Sequence, residues 1–65
     1  MYGQFTARQR NKHKAIGAWR RHRGKVGQKW VEHDETIVGT RYVILKRAGV
    51  FLARWDIRRK RLLFV

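Results

Sequence analysis

Residues 6–29 read TARQRNKHKAIGAWRRHRGKVGQK, with nine Lys or Arg and no carboxylate; the first acid in the chain is Glu32. A segment so charged repels itself when it compacts, so any fold that includes it needs negative charge from outside, and polyphosphate is the commonest source. The charge is also unevenly spread. Residues 1–31 carry net +9, whereas residues 32–65 carry +4, the four acids there being set against eight bases.

The rest of the composition narrows the class. A chain of 65 residues makes one domain at most, and a domain that small buries only about 60% of the surface its unfolded chain exposes. There is no cysteine, so neither a disulfide framework nor a Cys-based zinc site compensates for a thin core. A net charge of +13 exceeds the magnitude of about 2 to 8 that solubility asks of a small domain. It points to partners rather than to a fold. No apolar run approaches the roughly 20 residues of a membrane span, and no signal-peptide pattern is present. The expected location is inside the cell, not secreted. An Arg-rich, acid-free start also has the composition of a mitochondrial targeting segment, but here the basic stretch runs unbroken into the part expected to fold. Full disorder is disfavoured for the second half, because 43% of residues are hydrophobic and eight are aromatic.

Thr6 followed by Gln9 is a capping box, and Gly24 offers a helix stop. They predict a helix over 7–23, weakened by Gly17, which costs about 1 kcal/mol relative to alanine. Only Ile16 and Trp19 supply apolar area at helical spacing, so the free segment is expected to be a partly frayed arm that folds against phosphates. From residue 28 the period becomes two. Residues 28–33 read as a strand with Trp30 in the core. Residues 36–45 read as a long strand with a bulge or bend at Gly39, and 50–57 as its return after a three-residue loop, Arg47-Ala48-Gly49. That loop pairs Leu45 with Phe51, Val43 with Ala53 and Arg41 with Trp55. Arg58 to Arg61 form a basic turn before a last short strand, 62–65. A rival helix over 41–55 is disfavoured by β-branching and Gly49. The expected fold is α+β or mainly β: a basic arm or helix (1–27) partly helical when bound, then a small antiparallel domain (28–65) of three to four strands or an SH3-like small barrel.

Catalysis has little to build on. Glu32, Asp34 and Glu35 crowd around His33, which suits a hard cation, but no second acidic element stands at a recognisable spacing; a turn whose acids pair with nearby Arg and Lys is the simpler reading. His13, His22 and His33 lack the i, i+4 spacing of a zinc pair. No catalytic, metal-ligating or cofactor-binding residue is assigned, no cofactor is expected, and a small-molecule substrate or an enzymatic activity is not expected.

Nucleic-acid binding has more support, because guanidinium groups give paired donors to phosphate oxygens. The expected contact residues are Arg8, Arg10, Lys12, Lys14, Trp19, Arg20, Arg21, Arg23, Lys25, Lys29, Arg58, Arg59, Lys60 and Arg61. Trp19 is the candidate for stacking on an unpaired base, docking on its own sheet being the alternative. The 58–61 run also has the look of a short nuclear-import signal. A helix-turn-helix would need helices that the second half lacks, and a membrane-surface role would need a broader apolar face. RNA is favoured over DNA, because a basic arm leading into a tiny β unit suits threading into folded RNA.

With its glycine-containing basic arm followed by a compact Arg-rich β unit, the chain resembles small basic ribosomal proteins in organisation over its whole length. That resemblance implies ribosomal RNA as partner, neighbouring proteins in a larger assembly, a small-barrel fold, and residence in a ribonucleoprotein particle of cytoplasm or mitochondrion. The arm alone is similar to the arginine-rich arms of lambda-like phage antiterminators, through Thr6, Arg8, Lys12 and Trp19, the last implied to cap an RNA hairpin. Two other functions stay open: a phage or mobile-element DNA-binding or transcription-regulating protein, and a small inhibitor directed at an acidic protein surface.

Overall fold

In the computed structural model, which describes residues 6–26 and 29–64, one helix is followed by a two-stranded hairpin and a four-stranded antiparallel meander. Helix α1 (Ala7–His22) begins at the capping box: Gln9 N–H donates to Thr6 Oγ1 at 3.2 Å and Thr6 N–H to Gln9 Oε1 at 3.0 Å. It ends where Arg23 turns left-handed (φ 75°), so that the Trp19 and Arg20 carbonyls accept from Gly24 N–H at 2.9 Å and Arg23 N–H at 3.0 Å. Among the described residues, strands β1 (Lys25–Val26) and β2 (Lys29–Trp30) pair only with each other. Strands β3 (Glu35–Val38), β4 (Tyr42–Arg47), β5 (Val50–Asp56) and β6 (Arg61–Phe64) follow in spatial order. Among the described residues no helix is long and apolar enough to cross a membrane.

One core joins helix and sheet. Ala15 and Trp19, one turn apart on α1, are fully buried with Val43 and Leu45 of β4 and Ala53 of β5, and Leu52 and Trp55 of β5 complete the cluster. Residues i and i+4 share a helix face and alternate strand residues share a sheet face, which brings these side chains together. Residues Ala7–His22 form a helix that packs on the sheet through Ala15 and Trp19. Trp19 is the largest fully buried side chain of the cluster, and partly buried Ile16 and Ala18 of the helix pack beside it.

The sheet departs from the expected register. Ala48 (φ 51°) and Gly49 (φ 78°) form a two-residue turn between Arg47 and Val50, both central residues left-handed as a type I′ turn requires. A bulge then shifts the register, giving Lys46 opposite Phe51, Leu45 opposite Ala53 and Val43 opposite Trp55. The expected long strand over 36–45 is broken at 39–41, where Gly39 N–H donates to the Tyr42 carbonyl and β3 folds back on β4. The sheet is an open meander rather than a barrel, and of the stretch expected over 28–33 the described residues 29–33 contribute only β2. Residues 1–5, 27, 28 and 65, which include the first residues of the expected arm, the start of the 28–33 strand and the end of the last strand, lie outside the described residues.

Candidate nucleic-acid interface

The cations on α1 divide by the face they occupy. Arg10, Lys14 and Arg21 follow the spacing of four and seven residues that keeps side chains on one face, opposite Ala15 and Trp19, and all three are exposed. Gly17 lies in the same row. Arg21 covers it, its guanidinium standing 3.3 Å from where a Gly17 methyl would sit. Arg8 and Lys12 continue the row of Ala15 and Trp19 toward the helix N-terminus, where they are exposed and edge a recess of about 260 Å³ with Gln9 and with Thr36 and Val38 of β3. The helix carries no acid in its first turn, so Arg8 and Arg10 sit unscreened at the positive end of its dipole, an arrangement that disfavours the helix by a few tenths of a kcal/mol to about 1 kcal/mol per charge. Among the described residues the only helix cation in an ion pair is Arg20, whose Nε stands 3.8 Å from Glu32 Oε1 with both side chains well exposed.

The last turn of α1 is tied to the chain that follows by three hydrogen bonds in a ring. Gly24 N–H donates to the Trp19 carbonyl, Val31 N–H donates to the Gly24 carbonyl, and the Trp19 indole Nε1–H donates to the Val31 carbonyl at 2.9 Å. Gly24 has φ 48°, and a methyl on it would strike both the Val31 carbonyl and the Trp19 indole. Only glycine satisfies both demands. This lock holds the β1–β2 hairpin against the end of α1. Lys25 and Trp30 are directly opposed in that hairpin, so their side chains share a face. They line a recess of about 370 Å³ with Arg20 and Arg23.

Of the two roles weighed for Trp19, stacking on a base or docking on its own sheet, the fold shows docking: the side chain is fully buried in the core with its N–H occupied. It offers no ring face to a base or to the hairpin-capping part that the antiterminator resemblance implies. Trp30, expected in the core, is 55% exposed because β2 is not a strand of the main sheet. Trp55 is buried as expected.

The second basic patch is built by Asp56. Its buried carboxylate accepts from the backbone N–H groups of Arg58 at 3.1 Å and Arg59 at 3.0 Å, while its carbonyl accepts from Lys60 N–H. The N–H of Arg59 above all holds this carboxyl below its ordinary value; burial opposes the shift, and the N–H of Arg58 and the charges of Arg59 and Arg41 add to it. With Lys60 left-handed at φ 56°, the turn leaves Arg58, Arg59, Lys60 and Arg61 exposed. Arg41 joins them, its carbonyl accepting from Ile57 N–H at 3.0 Å. Phe64, at the far end of β6, packs against His22 in the last turn of α1, the rings tilted by 43° with centroids 4.6 Å apart. The His22–Phe64 contact thus lies at the other end of β6 from the turn, about 10 Å along the strand, and the recess of Arg20, Arg23, Lys25 and Trp30 includes none of Arg58 to Arg61. Lys29, on β2, is exposed beside the hairpin.

The acids serve structure. Asp34 accepts from Ala48 N–H at 3.0 Å and so ties the β4–β5 turn to the segment before β3, and Glu32 accepts from His33 Nδ1 at 3.1 Å. Among the described residues no three His, Asp or Glu side chains gather where they could hold a metal ion. On the outer sheet face Tyr42 lies under two guanidinium groups, Arg54 at 4.5 Å and Arg41 at 5.6 Å from its centroid. No family model, curated protein or solved structure matches the chain.

Proposed function

We propose that the protein binds RNA without catalysing a reaction, as a structural component of a ribonucleoprotein particle such as the ribosome. The observation that carries this reading is a docked helix with six Lys or Arg and no acid, of which only Arg20 has a carboxylate partner among the described residues. Retaining such repulsion costs stability within a Debye length of about 8 Å, and a polyphosphate removes that cost. The outer row Arg10, Lys14 and Arg21 follows one phosphate backbone, and the 58–61 turn engages a second segment of the folded RNA. Rows of guanidinium groups on a rigid surface suit folded RNA, whose shape and phosphates are recognised together.

The test is competition among a structured ribosomal RNA fragment, a DNA duplex and an acidic polypeptide, matched in total charge, for the purified protein. The structured RNA is expected to win. Preference for the DNA duplex would transfer the reading to a DNA-binding regulator, and preference for the polypeptide to an inhibitor of an acidic protein.

A further inference from the structure

The recess at the end of α1 differs from the two phosphate-facing surfaces in having an aromatic wall. Arg20, Arg23, Lys25 and Trp30 enclose about 370 Å³, within the size range of pockets that take small ligands. Three cations and an indole half open to solvent form an unusual combination. An exposed tryptophan contributes nothing to a core, and three like charges around it repel one another, so neither feature is explained by folding. Arg20 has a carboxylate within reach, but its pairing with Glu32 is long and exposed and yields readily to phosphate. The backbone beneath the recess is tied in place: the Trp19–Gly24–Val31 ring joins the helix end to the chain that follows β2, and Arg23 is the left-handed cap residue.

Resting on the RNA-binding reading above, we infer that this recess takes one unpaired nucleotide: its base stacks on Trp30 while Arg20, Arg23 and Lys25 hold the flanking phosphates. Every base has a π-face, so stacking tolerates sequence, and cations around the ring anchor the backbone on either side. The protein accordingly clamps an RNA where a nucleotide leaves the helix, at a bulge or loop, rather than along continuous duplex.

The experiment compares an oligoadenylate with an abasic ribose-phosphate oligomer of the same length, and adds the deoxyribose counterparts of both. Stacking of one base predicts roughly tenfold tighter binding of the oligoadenylate. Trp30→Ala abolishes that preference and leaves the abasic affinity and the melting temperature unchanged; Trp30→Phe retains most of it. An equal preference in the deoxyribose series supports the nucleotide site and makes single-stranded DNA a source as well. If the two ribose oligomers bind the wild-type protein equally, or if Trp30→Ala keeps the preference, the recess is not a nucleotide site, and the phosphate-binding helix stands unaffected. If neither oligomer nor structured RNA binds, the RNA-binding reading falls and this inference falls with it.

Discussion

Residues 6–30 and residues 35–64 solve different problems with the same kinds of side chain. The meander supplies Val43, Leu45, Leu52, Ala53 and Trp55 to the core, and its acid Asp56 is consumed in shaping a turn. The helix buries Ala15 and Trp19 fully, adds partly buried Ile16 and Ala18, and carries six exposed Lys or Arg. The residues that hold the fold and those proposed to bind RNA are therefore largely different ones. One tryptophan couples them, since Trp19 both anchors the helix and, through its N–H, sets the hairpin that carries Trp30.

That coupling is the first thing to break. Trp19→Ala empties the helix–sheet interface and leaves the Val31 carbonyl without its donor, so a loss of about 3 to 5 kcal/mol is expected. For a core this thin it unfolds helix and hairpin together, which circular dichroism and a thermal melt would register. An unchanged helix signal would mean that the helix does not depend on the sheet. The opposite behaviour is expected when only the outer face changes. Replacing Arg10, Lys14 and Arg21 with alanine leaves the melt unchanged or raises it, because repulsion is relieved, while RNA affinity falls. The same treatment of Arg58, Arg59, Lys60 and Arg61 weakens binding less. Titrations in which the turn variant loses more would reverse the division of labour.

Asp56 gives a smaller, pH-dependent contrast. Its folded-state carboxyl lies below the ordinary value of 3.8, so its stabilisation is complete above that value and is lost as pH falls through the lowered folded value. Melting temperatures measured down an acid series should drop below 3.8 in the wild type and drop less in Asp56→Asn. Equal acid sensitivity in the two proteins would assign it to another carboxylate. Smallest of all, Gly17→Ala is expected to raise stability by up to about 1 kcal/mol, with Arg21 shifting slightly to admit the methyl. RNA binding should keep its salt dependence, since no charge is removed; a lowered melting temperature would show that Arg21 cannot move.

The helix limits, the basic 58–61 turn and the α+β class were legible in local signals: Thr6 with Gln9, the Gly24 stop, and β-branched runs. What escaped was long-range. Nothing near Trp19 marks it as core, because its burial depends on Val43, Leu45 and the Val31 carbonyl, which are distant in sequence. Trp30 sits in an alternating stretch that looks like a sheet strand, yet its only strand partner is β1, and the Gly24 lock that isolates this hairpin reads locally as a mere helix stop. The register failed for a local reason. Ala48 takes a left-handed conformation that alanine seldom adopts, so a two-residue turn was not expected there, and the bulge at Leu45/Lys46 then shifted every later pair.

The central claim is that the helix cations work by neutralising phosphates, and the most direct measurement is the salt dependence of RNA affinity for the full chain and for the Arg10, Lys14, Arg21 alanine variant. Each phosphate contact adds about 0.7 to 0.9 to the slope of log K against log salt. A steep negative slope in the wild type, reduced by roughly two in the variant, is the predicted result. A slope near zero, or one that the three substitutions leave unchanged, would contradict it.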